Sequence, residues 1–374
     1  MEPGRDMSPK RRMSGVGVLL AVASVCIFAF FGLLSLLLIG GFNTGFEGLV
    51  FGMLLGTLPV PVYASLALWL DRYEKEPVWM LLAAFAWGAT IAVFFSFVIN
   101  SINGAVVGGF AGVSAGDFFA SVVSAPVVEE SAKGLALLIL FLWKRNEFDG
   151  VVDGVVYAAM VGLGFAMVEN FSYYGVALLE GGVEGGVAVF VLRGVLTPFN
   201  YPLFTAMFGI GLGLARQSGS GVVKVIAPVV GFLMAVVLHA SWNGFSYVAP
   251  GLVGLAVVIA LLIFPAMGGV LLAVGLSLKR EGRIIRQYLR PELDSGEISA
   301  GEYRTLGSVR GRLSSTARAF FSGPSRWRAR RRFNQTASEL AFHRDRIARG
   351  LTSRNDPARH ETYRSELLRL KEKL

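Results

Sequence analysis

Residues 118–143 read FFASVVSAPVVEESAKGLALLILFLW, an apolar run of 26 residues interrupted by three charges, Glu129, Glu130 and Lys133. As an α-helix this run would be about 39 Å long, enough to cross the roughly 30 Å of hydrocarbon in a bilayer. Working outward, seven more apolar stretches of similar length appear, at about 16–39, 49–70, 78–99, 155–179, 187–215, 222–248 and 252–278. A Gly-rich piece at 105–116 reads as a loop or a re-entrant segment. The chain as a whole agrees: of 374 residues 54 % are hydrophobic and only 16 % charged, with mean hydropathy +0.58. Soluble globular proteins carry roughly 25 % charged residues, so a water-soluble fold is excluded. The 46 glycines follow no three-residue period, which excludes collagen, and a single cysteine, Cys26, excludes an intrachain disulfide framework. The expected fold class is all-α: a polytopic integral membrane protein of about eight transmembrane helices plus a helical tail.

Charge divides the chain further. Residues 279–374 hold 23 of the 35 basic side chains against 11 acids. Residues 1–15 read as a basic N-terminus, 16–278 as the transmembrane domain and 279–374 as a basic helical tail. The first span follows Lys10, Arg11 and Arg12 like a signal peptide, but its apolar core is too long, so it reads as a retained signal anchor. With eight spans, every basic residue outside them falls on one side, Arg72, Lys75, Lys144, Arg145, Arg216 and Lys224 included. The opposite loops, near Asn43, Asn103, Gly182 and Ala249, have no Lys or Arg. Both termini are therefore expected in the cytoplasm. Within the tail, Ser299 and Glu302 have capping-box spacing. The basic segment from Arg326 to Arg332 reads as a face for anionic lipid headgroups rather than nucleic acid. His343 and His360 read as solvated, and Trp143, Tyr173, Tyr174 and Tyr247 as interfacial anchors.

Six ionisable residues have no exit to water by position: Glu129, Glu130 and Lys133, then Glu169, Arg193 and His239 on the next three spans. A charge at the centre of a span costs about 2.5 to 3.5 kcal/mol, whereas each large aliphatic residue returns only about 0.3 to 0.6. Such helices survive if these groups face the bundle interior, pair, or reach a wet cavity. Spacing supports convergence. Glu129, Glu130 and Lys133 share adjoining parts of one helix face, and His239 and Asn243 lie four apart on one stripe. Glu129, Glu169 and His239 sit at one depth, roughly 14 to 20 Å from the far ends of their spans. A carboxylate and an imidazole from separate helices suit a divalent metal, and a further carboxylate can take a proton from water. Hydrolysis of a peptide within the membrane fits this set. So does a structural network of two ion pairs, Glu130 with Lys133 and Glu169 with Arg193, although two tandem acids exceed what one lysine neutralises.

Three ordered motifs sharpen the choice. Glu129-Glu-Ser-Ala-Lys133 is EExxK, Phe165-Ala-Met-Val-Glu169-Asn170 is FxxxEN, and His239-Ala-Ser-Trp-Asn243 is HxxxN. In this order on successive spans they resemble the PrsW family of bacterial intramembrane proteases, distant relatives of the CAAX prenyl endopeptidases. Asp71-Arg-Tyr-Glu-Lys-Glu-Pro77, Asp153-Gly-Val-Val-Tyr157 and Gly162-Leu-Gly-Phe165 also look like that family, and the resemblance covers roughly residues 60–275. It implies a multi-pass protein of the bacterial cell membrane that cuts a membrane-anchored protein, an anti-sigma factor in the best-known members. Glu129 and Glu130 would form the catalytic pair, with Glu169 and His239 as ligands of water or of a divalent metal, zinc being the expectation. Lys133, Asn170, Arg193, Tyr201 and Asn243 would be supporting polar residues.

One position departs from the family's pattern. After Arg193 a stretch like PxxHxLF usually supplies a histidine, and here Pro198-Phe-Asn-Tyr201-Pro-Leu-Phe204 supplies Tyr201, with Asn200 beside it. A phenol titrates at about 10 and is a poor zinc ligand at neutral pH. Catalysis by carboxylate-activated water, a degenerate member that binds without cutting, and a transporter are the alternatives. Intramembrane charges often mark ion paths, yet the spans do not divide into two matching halves. Gly154, Gly162, Gly164, Gly209, Gly211 and Gly213 read as close helix packing.

Overall fold

The computed structural model describes residues 15–374 apart from 74, 146, 250 and 350–355, so the basic cluster Lys10, Arg11 and Arg12 lies outside the described residues. Among the described residues every element is helical. In chain order these are α1 Gly15–Leu38, α2 Gly45–Thr57, α3 Val60–Leu70, α4 Val78–Trp87, α5 Val93–Ala111, α6 Val113–Phe118, α7 Ala125–Trp143, α8 Val151–Phe190, α9 Asn200–Gln217, α10 Gly221–Val248, α11 Leu252–Val258 and α12 Phe264–Tyr288. Wider π-helical turns join several of them, among them Phe119–Ser124 ahead of α7 and Val191–Leu196 ahead of α9. The stretch 105–116 is a helical hairpin rather than coil: the end of α5 and the start of α6 fold back on each other at Gly112, where φ is 92° and a Cβ on Gly116 would lie 2.4 Å from the Gly104 oxygen.

Five continuous helical stretches are long and apolar enough to cross a membrane. Two of them, Gly17–Leu70 and Val151–Gln217, are 54 and 67 residues long, far beyond one crossing, and they fold back. At Gly182 the backbone takes φ 64°, and a Cβ on Gly185 would lie 2.8 Å from the carbonyl oxygen of Ala177. Eight residues of straight helix would hold those positions about 12 Å apart. Gly45, at φ 61°, divides the first stretch in the same way, and glycine meets the need for this left-handed backbone. α7 stands outside the five because Glu129, Glu130 and Lys133 interrupt its apolar run. Dividing the two long stretches and adding α7 accounts for the eight spans expected.

The centre of the bundle is α8 with α9. In Val151–Gln217, 83 % of the most apolar window is buried, against 11 % in Gly17–Leu70 and in Gly221–Phe245. Glycine makes this approach feasible: a Cβ on Gly154 would fall 2.1 Å from the Gly209 oxygen, so the two backbones are in contact. Phe165, Glu169 and Asn170 ride on this central helix.

α12 continues without a break past residue 278. The tail follows as α13 Arg290–Asp294, α14 Ala300–Leu306, α15 Val309–Phe321, α16 Pro324–Ala348 and α17 Asp356–Lys371. The capping box forms: Ser299 Oγ accepts from the Glu302 amide at 3.2 Å, and Glu302 Oε2 accepts from the Ser299 amide at 2.8 Å. Ile285, Leu289, Leu306, Phe333, Leu340 and Leu367 make a separate core, and Tyr73 of the α3–α4 linker is buried in it. Buried Arg312 seals the junction. It donates to the carbonyls of Asn334 at 2.6 Å, Leu306 at 3.0 Å and Arg72 at 3.3 Å, and lies 4.6 Å from the Tyr73 ring. Burial lowers its pKa to about 10, which leaves it cationic at neutral pH.

The expectation that His343 is solvated is corrected by this core, whereas His360 stays partly exposed. His343 is buried edge-on to Tyr363, and His360 Nε2 accepts from Arg344 Nε at 3.0 Å. Two stretches distant in sequence also meet at this end of the bundle. The Glu76 amide donates to Asp71 at 2.7 Å, and the Tyr157 hydroxyl donates to Glu76 Oε2 at 2.5 Å. Burial, helped by Asp153, pushes Glu76 up to about 11, so its carboxyl is neutral at pH 7.

Candidate active site

α7 places Glu129, Glu130 and Lys133 inward, and Lys133 is 0 % exposed. Its ammonium lies 2.6 Å from Glu130 Oε1 and 3.8 Å from Glu129 Oε2, above the rings of Phe165 at 4.4 Å and Tyr201 at 5.0 Å. α10 brings His239 against the same carboxylates: Nδ1 is 3.0 Å from Glu130 Oε1 and Nε2 is 3.9 Å from Glu129 Oε2. The imidazole stacks on Phe204 of α9, with ring centroids 5.2 Å apart, and meets Tyr201 edge-on. Thr205, also on α9, donates to Glu130 Oε2 at 2.9 Å.

These contacts give the adjacent acids different states. Glu130 has both oxygens engaged, by Lys133 and His239 on one and by Thr205 on the other. Glu129 Oε2 is buried without a hydrogen-bond partner among the described residues. With Nδ1 donating to Glu130, the lone pair of His239 sits on Nε2, on the side of Glu129. A buried unsatisfied carboxylate oxygen is costly, and here it borders the one ring nitrogen that can accept a proton.

Arg193, in the turn ahead of α9, gathers a second group. It pairs with Glu169 at 3.0 Å, donates to Asn170 at 2.7 Å and Tyr201 at 2.6 Å, and stacks 3.6 Å from the Tyr173 ring. A cavity bordered by Asn170, Arg193, Asn200, Tyr201 and Trp242 lies beside it. Tyr201 is the shared wall, touching His239 and Lys133 through its ring and Arg193 through its hydroxyl. Asn243 donates to the Ser121 carbonyl at 2.8 Å and pins α10 to the turn ahead of α7.

The nine residues singled out in the sequence thus fall into one catalytic-type cluster, one arginine-centred cluster and a helix clamp. Both ion pairs of the structural alternative form as well. Glu169 is held by Arg193 and makes no ion pair with His239. Thr205 was not singled out in the sequence, and Tyr173, expected only as an interfacial anchor, lies one helical turn from Glu169 and stacks on Arg193. Tyr174 is not an interfacial anchor, because it is fully buried, whereas Tyr173 is exposed. Trp143 and Tyr247 are exposed near helix ends.

A metal can be tested against these donors. Catalytic zinc takes three protein ligands, and among the described residues no three His, Cys, Asp or Glu side chains converge on one point. Glu129 and His239 offer one facing atom each. Glu130 is saturated, Glu169 is tied to Arg193, the Tyr201 oxygen accepts from Arg193, and the Lys133 ammonium stands within 4 Å of both α7 acids. These residues do not fit a three-ligand zinc site.

A family model described as PrsW family intramembrane metalloprotease matches residues 76–270. The chain is similar to Protease PrsW of Bacillus subtilis (strain 168), 33 % identical over 176 residues that cover 46 % of this chain and 72 % of that one. It is also similar to Protease PrsW of Geobacillus kaustophilus, 32 % identical over 39 % of this chain and 58 % of that one. Protease PrsW of Oceanobacillus iheyensis is 27 % identical over 52 % and 86 %. No solved structure matches. A matched region holding all three motifs, on an all-helical multi-pass frame, assigns the chain to the PrsW family of intramembrane proteases.

Proposed function

We propose that this protein cleaves a peptide bond of a membrane-anchored protein with a water activated between Glu129 and His239. The observation that carries this reading is the buried, unpartnered Glu129 Oε2, 3.9 Å from His239 Nε2. A water oxygen about 2.8 Å from each atom spans that gap. Glu130 holds the Nδ1 proton, so His239 accepts one water hydrogen and Glu129 the other. As the water oxygen bonds to the scissile carbonyl carbon, its proton passes to Glu129. The resulting carboxylic acid protonates the leaving nitrogen as the C–N bond breaks, which restores the carboxylate. Lys133 pairs with Glu130 at 2.6 Å, and Arg193 fixes Tyr201 against the imidazole. General base catalysis of this kind contributes roughly 10² to 10⁴ in rate.

The substrate class, an anti-sigma-factor-like protein with one membrane anchor, follows from the family resemblance. The one-sided distribution of Lys and Arg supports cytoplasmic termini, with residues 279–374 beside anionic headgroups. A degenerate member that binds without cutting is the second reading, favoured by Tyr201 in the place of the family's histidine. The test is cleavage of a co-expressed single-span protein by wild type, Glu129→Gln, His239→Ala and Tyr201→His, with metal analysis of each purified protein. Cutting by wild type alone or with Tyr201→His, unaffected by chelation, supports water activation by Glu129. Equal products from wild type and Glu129→Gln would sink it. Cutting by Tyr201→His alone, with zinc bound, would establish the degenerate reading instead.

A further inference from the structure

The cytoplasmic-type extension of α12 carries a pattern that the cleavage chemistry does not use. Leu272, Leu276, Lys279, Arg283 and Arg286 follow one another at intervals of four and three, so they form one stripe along the helix. The stripe changes from apolar to cationic within one turn. Leu272 is 63 % exposed and Leu276 56 %, on the part of α12 that belongs to the last span. Lys279 and Arg283 are exposed one and two turns further on. This change marks the level where hydrocarbon gives way to headgroups.

At that level lies an open cleft of about 650 Å³ between α12 and α15. Leu276 and Gly275 border its apolar end, and Lys279, Arg283, Arg286 and Arg310 border its other end. Ser308, Val309 and Arg310 also line it, so the positive end of the 13-residue helix α15 adds to the same field. Arg286 is held in place by its bond to the Gly307 carbonyl at 2.5 Å. Among the described residues none of the four cations is paired with a carboxylate. The acid on this part of α12, Glu281, accepts from Ser277 at 3.3 Å.

We infer that this cleft binds one anionic phospholipid, its phosphate among Lys279, Arg283, Arg310 and the first turn of α15, its acyl chain along Leu276 and Leu272. A phosphate-bearing headgroup and a soluble phosphate ester share the recognition chemistry of the cationic end. The apolar end, continuous with the exposed face of the last span, selects the lipid. The bound lipid bridges the transmembrane body and the tail at the helix they share. This inference is independent of whether the protein cuts its substrate.

The full-length protein in mixed micelles of phosphatidylcholine and phosphatidylglycerol is the material for the test, with retained lipid counted by native mass spectrometry. Wild type is expected to retain one phosphatidylglycerol in preference to phosphatidylcholine. The double substitution Arg283→Gln with Arg310→Gln is expected to lower that retention about tenfold, with helicity by circular dichroism unchanged. Arg283→Lys with Arg310→Lys is expected to restore most of it. Equal retention of the two lipids by wild type, or equal phosphatidylglycerol retention by wild type and the Gln variant, overturns the site. Displacement of the lipid by glycerol 1-phosphate at equal concentration overturns the lipid assignment in favour of a soluble phosphate.

Discussion

Two buried cations, Lys133 in the transmembrane bundle and Arg312 in the tail, are handled in opposite ways. Among the described residues Arg312 makes no ion pair, and its guanidinium is spent on carbonyls from three segments, on the Ser338 hydroxyl and on the Tyr73 ring. Every contact it makes is fixed and satisfied. Lys133 faces two carboxylates, satisfies Glu130 and leaves Glu129 with an unpartnered oxygen. A closed set of hydrogen bonds holds a junction, whereas buried groups left short of hydrogen bonds, here Glu129 Oε2 and the Lys133 ammonium, mark a place for chemistry. The comparison predicts which substitutions remove activity and which remove only stability.

Glu129→Gln is the largest effect expected. Removing the proposed base should lower cleavage by roughly 10³, about 4 kcal/mol of barrier, while the melting transition in detergent stays near that of wild type. A variant that loses its fold together with its activity breaks the distinction between the two acids. Glu130→Gln should behave otherwise: it removes the nearer of the two carboxylates that pair with buried Lys133 and the acceptor of His239 Nδ1 and Thr205, at a cost of about 3 kcal/mol. Its thermal unfolding should drop clearly below that of Glu129→Gln, and equal drops would mean that Glu130 is not the structural partner.

How much of this was legible in the sequence depends on which contacts are local. The spacing of Glu129, Glu130 and Lys133 within one helix, and the order of the three motifs, announced a convergence that the structure contains for α7 and α10. Which acid is free was hidden, because Thr205 and Phe204 of α9 settle it from 75 positions away in the case of Thr205. The tail was less legible. Its arginines resemble a solvated basic face by composition, yet Arg312 and His343 are buried because Tyr73 and helices α12, α14, α16 and α17 assemble a core that no local pattern encodes. The reversal at Gly182 was readable as a loop without Lys or Arg, but Gly181, Gly182, Gly185 and Gly186 between and beside Glu180 and Glu184 do not say which glycine turns the helix.

The junction offers a smaller test. Arg312→Met keeps much of the volume but leaves the carbonyls of Leu306, Arg72 and Asn334 without their donor, at about 2 kcal/mol in all. Limited proteolysis should then release the tail faster, while cleavage chemistry at Glu129 is retained in the intact chain. Loss of activity with no change in proteolysis would place Arg312 on the side of function and erase the contrast with Lys133.

The smallest effect expected is a slope rather than a step, at Glu76. Its folded pKa, pushed to about 11, exceeds the usual carboxyl value, so folding retains a proton that the unfolded chain gives up. The contribution is fully present below about pH 4.5 and is lost as pH rises toward the folded value. Glu76→Gln does not titrate, and its amide oxygen can still accept from Tyr157. The melting temperature of Glu76→Gln should therefore approach that of wild type at pH 5 and exceed it increasingly toward pH 9. Parallel curves would mean that Glu76 ionises normally, and that the bond joining the α3–α4 linker to α8 is an ordinary phenol–carboxylate contact rather than a neutral acid sealed beneath the tail.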